Sequence, residues 1–121
     1  MEAGLTVVHL FGKPTRRLDR EAVVAAVKAA EAEECQVITA AMLGHKADIS
    51  FMALAADWRT LRTLQSALQR AGIDIVDSYV SITEVSEYAK GMPEHMLLAR
   101  LHPEIPPEGM NAFCFYPMSK K

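Results

Sequence analysis

Two segments of helical periodicity lie between four strand-like apolar runs, and that alternation restricts the chain to few folds. Leu5 to Phe11 (LTVVHLF) is rich in β-branched and large apolar residues and predicts a strand, which Gly12-Lys13-Pro14-Thr15 breaks. Asp19 then offers an N-cap, with Leu18 and Val23 placed for a hydrophobic staple. The REAVVAAVKAAEAEE segment that follows consists of strong helix formers, with Val23, Val27 and Ala30 on one face. Gln36 to Leu43 (QVITAAML) and Asp48 to Leu54 (DISFMAL) flank Gly44-His45-Lys46-Ala47, the pattern of a β-hairpin with a short polar turn. Asp57 caps a second helix whose core stripe is Leu61, Leu64, Leu68 and Ala71, and Gly72 stands where a left-handed C-cap belongs. Ile73 to Val85 (IDIVDSYVSITEV) returns as a long strand.

The order strand, helix, strand, strand, helix, strand predicts an α+β chain of the ferredoxin-like βαββαβ type, an antiparallel sheet with both helices on one face. Val, Ile, Phe and Met occur at both parities along several strands, so the other face also needs cover. A partner sheet would supply it, which makes the chain half of a dimeric α+β barrel. Residues 1–88 form the expected ferredoxin-like domain. Residues 89–121 form a connection punctuated by Gly91, Pro93, Pro103, Pro106, Pro107 and Gly109, with a short helix around Glu94 to Leu101. Ala112 to Tyr116 (AFCFY) is expected to begin a fifth strand belonging to a second half that the chain lacks.

Composition excludes several function classes. A net charge of -2 and a pI near 6.1 leave no electrostatic footprint for nucleic acid or anionic lipid. No apolar run approaches the ~20 residues of a membrane span. Met1-Glu2-Ala3-Gly4 lacks the basic start and apolar stretch of a secretory signal, so a cytoplasmic protein is expected. Cys35 and Cys114 are too few and too far apart for a disulfide framework, and both are expected to be buried free thiols. His9, His45, His95 and His102 show no HxxxH or CxxH spacing; structural or surface roles are expected, and none is assigned as a metal ligand. P-loop, GxGxxG and GxSxG motifs are absent.

The end of the chain, Cys114-Phe115-Tyr116-Pro117-Met118-Ser119-Lys120-Lys121, resembles the FYPMSK-type motif of the chlorite dismutase family, in its coproheme decarboxylase branch. Three further blocks resemble the same branch in the same order. Gly44-His45-Lys46-Ala47-Asp48 is similar to its GHKAD hairpin, Ser78 to Tyr88 (SYVSITEVSEY) to its SYxSxxExxxY strand, and Ala99 to Pro106 (ARLHPEIP) to its RLYPxLP segment. The blocks cover most of residues 44–121, and YPMSK is the most specific of them. Family members carry two ferredoxin-like halves in one subunit, with haem held mainly by the second. The resemblance therefore implies that this chain is the first half, without the segment that bears the proximal histidine. It would be either a natural split subunit or a cleaved or truncated protein.

The resemblance implies a haem-dependent enzyme that uses hydrogen peroxide to decarboxylate two propionates of coproheme, giving haem b. Tyr116 matches the tyrosine used as a radical relay toward the propionate, and a phenol suits that work because it loses a proton and an electron together. Lys120 and Arg100 match residues that hold the propionates, the first as a point charge and the second through a bidentate fork. Met118 is expected at the porphyrin edge. The implied partners are coproheme, hydrogen peroxide, a second ferredoxin-like half and further copies in a higher oligomer. Two other readings stay open: a chlorite dismutase proper, splitting chlorite to chloride and dioxygen, and a non-catalytic α+β barrel module that binds haem or another small molecule.

Overall fold

A computed structural model describes residues 4–85 and 91–119 of the 121-residue chain. Its elements are β1 (Thr6–Pro14), α1 (Arg20–Ala32), β2 (Gln36–Ala41), β3 (Ile49–Ala55), α2 (Trp58–Arg70), β4 (Ile73–Ile82) and α3 (Glu94–Leu101). The four strands form one antiparallel sheet in the order β2-β3-β1-β4. This is the ferredoxin-like arrangement expected from the pattern of apolar runs.

Both long helices begin as local chemistry dictates. The Asp19 carboxylate accepts from the Ala22 backbone N–H, and the Asp57 carboxylate accepts from that of Arg59, each satisfying a donor that the first helical turn leaves unpaired. Arg59 also folds back on Asp57 at 2.8 Å, an exposed pair. Gly72, at φ +96°, ends α2 in the left-handed region, as expected of a C-cap. Leu61, Leu64, Leu68 and Ala71 are all buried.

The core lies between the helices and one sheet face. Val8, Leu10, Phe51 and Ala53 from the central strands pack with Ala26 and Ala30 of α1 and Leu61, Leu64 and Leu68 of α2; Val23 and Val27 flank them. Alternate residues of β1 are buried on the other face as well: Val7, His9 and Phe11. The two-sided burial expected from the strand parities is therefore present in β1.

Several boundaries differ from expectation. β1 continues through Gly12 to Pro14, with a register shift between Phe11 and Gly12 that leaves Val76 of β4 as the extra residue. Gly12 permits this because a Cβ there would sit 2.5 Å from Ile73 Cγ2, and Pro14 lies where only β4 runs alongside. The hairpin turn spans residues 42–48 and is closed by the Met42 N–H donating to the Asp48 carbonyl at 3.0 Å. β4 stops at Ile82. α3 occupies the range expected of it. Ala112 to Tyr116 pair with no strand among the described residues, because Phe113 and Phe115 fasten that segment to the sheet through their rings rather than through backbone hydrogen bonds. The 88/89 boundary and Lys120 lie outside the described residues.

Candidate functional site

The sheet face opposite α1 and α2 carries the chain's polar and aromatic chemistry. On β1, His9 stands opposite Met52 of β3 and Tyr79 of β4; Phe11 stands opposite Ser50 and Asp77. The chain beyond α3 is led back to this sheet by one side chain. The Gln36 amide donates to the Pro103 carbonyl at 2.6 Å and accepts from the Ile105 N–H at 2.7 Å. Thr83 makes a second tie, its hydroxyl donating to the Leu101 carbonyl at 2.6 Å and accepting from the Leu5 N–H at 2.7 Å.

From that anchorage the segment bearing Phe113 and Phe115 passes over the face as a strap. The Phe115 ring lies 4.4 Å from the His9 ring, 5.3 Å from Phe11 and 5.5 Å edge-on to Tyr79, while Phe113 lies 6.2 Å from His9. His45 of the hairpin turn meets Phe11 edge-on at 4.9 Å. These separations are in the range of favourable aromatic pairs.

A cleft of about 550 Å3 opens beside the strap, lined by Phe11, Met42, His45, Asp77, Tyr79, Phe113, Phe115 and Tyr116 among others. Three blocks distant in sequence thus converge at one place: the Gly44-His45 turn, the Ser78-Tyr79 strand and the Phe115-Tyr116-Pro117 terminus. Tyr116 stands at the mouth, 71% exposed, with no hydrogen bond to another described residue. Met118 is 84% exposed and does not line the cleft, nor does Arg100, which is exposed on α3. The structure therefore does not bring Tyr116, Arg100 and Met118 together. His9, Tyr79, Phe113 and Phe115 were missed as site residues. The signal was present in the two-residue spacing of Phe113 and Phe115, which puts both rings on one side of the chain, and in the odd parity that His9 shares with Phe11.

Burial sets the electrostatics. His9 is 8% exposed, and desolvation lowers its pKa from 6.5, so its imidazole is neutral at pH 7. Its Nδ1 and the Ser50 hydroxyl are buried without a hydrogen-bond partner. Cys35 is a buried free thiol as expected, its pKa raised to about 11 chiefly by burial. Cys114 is free but exposed, contrary to expectation, because it points away from the sheet between two anchored phenylalanines. Among the described residues, no group of three or more His, Cys, Asp or Glu is placed to hold a metal ion, and no helix is long and apolar enough to cross a membrane. A second groove, about 490 Å3 between α1 and α2, is lined mainly by Ala, Thr and Leu and presents only the exposed Asp57–Arg59 pair and Glu33 as charged groups.

The cleft's apolar wall (Phe11, Met42, Tyr79, Phe115) is suited by its chemistry to a flat apolar ligand. The described part of the cleft presents no cation for carboxylates. Its exposed imidazole is His45.

Comparison with known proteins places the chain in a family. Two curated relatives, from Haloarcula marismortui and Natronomonas pharaonis, each carry the name "Putative heme-binding protein". They are 32% and 33% identical to this chain over 75% of its length. The chain spans only 16% and 18% of those relatives. Among solved structures, a heme-binding protein of Thermus thermophilus superimposes with a TM-score of 0.67 at 21% identity, over 87% of this chain and 51% of that one. A mutant chlorite dismutase from Candidatus Nitrospira defluvii does so at 0.52 and 17% identity, over 79% and 47%. At those identities the likeness is one of fold. The family described as Chlorite dismutase matches residues 17–121, and the chain belongs to it.

Proposed function

We propose that the chain is one half of a haem-dependent enzyme that uses hydrogen peroxide to decarboxylate the propionates of coproheme, giving haem b. The observation that carries the reading is the convergence of the His45, Tyr79 and Tyr116 blocks, each similar to the decarboxylase branch, on one aromatic-walled cleft. The haem-binding names of the relatives support it at the level of the ligand. When bound with peroxide, the haem supplies the oxidising equivalents.

The chain's own residues have defined parts in this reading. Phe11, Met42, Tyr79 and Phe115 exclude water along one edge of the macrocycle and orient it. The Tyr116 phenol, already free of hydrogen bonds within the described chain, gives up an electron and a proton and relays the oxidation to a propionate. Arg100 and Lys120 hold propionates, with Met118 at the porphyrin edge. Arg100 and Met118 lie off the cleft as described, so in this reading α3 and the segment after Tyr116 would have to move toward the substrate once the second half is present. That half, a separate chain or another copy, brings the histidine that ligates iron, and the pair assembles further into a cytoplasmic oligomer. Residues 1–88 act as the folded unit and residues 89–121 as the connection into the second half.

A second reading, a haem-binding module without catalysis, is favoured by one observation: Tyr116 and Met118 are largely exposed and Arg100 is away from the cleft. One experiment separates the two. Coproheme and hydrogen peroxide are mixed with the chain and its second half, and the porphyrins are resolved by chromatography. Haem b that vanishes in Tyr116→Phe, with coproheme binding retained, supports the enzyme. Equal haem b from wild type and Tyr116→Phe refutes the relay, and binding without any product supports the module.

A further inference from the structure

The strap is held over a face that is not wholly apolar. His9, whose ring meets Phe113 and Phe115, and Ser50 on the same sheet face each bury a polar atom with no hydrogen-bond partner, Nδ1 and Oγ. Native structures pair nearly all such atoms, so each needs a physical reason. Ser50 stands across from Phe11, two positions along from the residue facing His9, so the two orphaned groups are diagonal neighbours on the sheet.

We propose that His9 is a pH-sensitive latch: the strap closes on a neutral imidazole and is released when His9 gains a second N–H that the closed face cannot satisfy. The neutral ring serves as one more aromatic surface, 4.4 Å from Phe115 and 6.5 Å from Phe11. An imidazolium must donate from both nitrogens, and Nδ1 has no acceptor. Attraction of the cation to the phenylalanine rings opposes release, but it does not supply the missing acceptor. The lowered pKa of His9 agrees with this balance: burial disfavours the charged form.

The groups around His9 leave it the one buried imidazole in the contact. From β3 it faces Met52, which does not titrate, and from β4 it faces Tyr79 with Asp77 next along the face. The hairpin contributes exposed His45 through Phe11, and the strap contributes exposed Cys114 and Tyr116. Asp77 already accepts from the Ser78 N–H at 2.9 Å. Release would carry Tyr116 out of the cleft and open the face to a second layer. The latch stands whether or not the haem reading does.

The strap carries its own reporter site. A thiol-reactive nitroxide goes to exposed Cys114 rather than to Cys35, whose thiol is buried with a pKa of about 11. The spectrum of the labelled full chain should sharpen as pH falls from about 8 to about 5, with its midpoint below the ordinary histidine value of about 6.5. His45→Phe should keep that transition, and His9→Phe should abolish it with the strap closed throughout. Carbon-detected titration of the His9 ring gives an independent readout. Phe115→Ala should raise its midpoint toward 6.5, because it removes the ring that covers the imidazole. A transition that survives in His9→Phe overturns the latch, as does its absence in wild type. A His9 midpoint that Phe115→Ala leaves unchanged overturns it too, even if His9→Phe fails to fold.

Discussion

Gly72→Ala should be among the most damaging single-methyl additions in the chain, and the loss can be worked from geometry. Gly72 adopts φ +96°, where an L-residue is strained by about 1–2 kcal/mol. An added Cβ would also lie 2.6 Å from the Arg17 carbonyl carbon and oxygen and 2.7 Å from Leu18 Cα, all backbone atoms that cannot rotate away. The loop must therefore move. The Gly72 carbonyl accepts from the Thr15 N–H at 2.9 Å and the Thr15 hydroxyl at 2.8 Å, and the adjacent Ala71 carbonyl accepts from the Asp19 N–H at 2.8 Å. Weakening two of these at about 1 kcal/mol each brings the total to about 3–4 kcal/mol. For a chain of this size that is a fall in Tm of about 10–20 °C. Gly44→Ala is the control: its φ is +72°, but nothing lies within 4 Å of the new methyl, so it should lose only the strain, about 1–2 kcal/mol. Urea and thermal denaturation followed by far-UV circular dichroism measure both. Equal losses for the two variants would refute the close-approach argument and leave backbone strain as the whole effect.

Leu68→Ala, at a fully buried position between α2 and the sheet, should cost about 2–5 kcal/mol in the same assay. Glu34 occupies the left-handed region at φ 59° in the turn after α1, so Glu34→Gly should stabilise the fold by about 1 kcal/mol, read as a rise in Tm. At pH 8 a thiol reagent should modify Cys114 rapidly and leave Cys35 unmodified until the chain unfolds, as counted by mass spectrometry. Stability should also depend on His9. Because its folded pKa is lowered, the unfolded chain binds the extra proton first; the contribution is full above 6.5 and declines as pH falls from there toward the folded value. Urea midpoints across that range should therefore rise with pH in wild type and rise less in His9→Phe.

The parts of the fold legible in the sequence are those decided locally. Asp19 and Asp57 cap their helices from within three residues, and Gly72 ends α2 by a conformation that glycine alone adopts without strain. Element order followed because apolar period differs between helix and strand. Strand ends were less legible, since they depend on neighbours. Gly12-Lys13-Pro14 has the composition of a break, yet β4 pairs with it by admitting Val76 as a bulge and by using the space that Gly12 leaves. The site shows the same division. The resemblance marked Tyr116, which does line the cleft, and Arg100 and Met118, which do not. It could not reveal that Phe113 and Phe115 close over His9, because that contact joins positions about a hundred residues apart through side chains alone.

The two faces of the sheet argue where function lies. Toward the helices the buried strand residues include Val8, Leu10, Phe51 and Ala53, a face made only to exclude water. The groove on the outer side of that layer inherits alanines and threonines and little chemistry. Toward the strap, the same central strands bury a histidine and a serine with unsatisfied atoms, a combination that stability alone would replace by apolar residues of similar volume. The His45, Tyr79 and Tyr116 blocks also meet at this face, and none of them lines the helical groove. A face that retains costly polar atoms and gathers those blocks is the one on which the proposed ligand and second half would act. Its aromatic strap is therefore better understood as a removable cover than as part of the core.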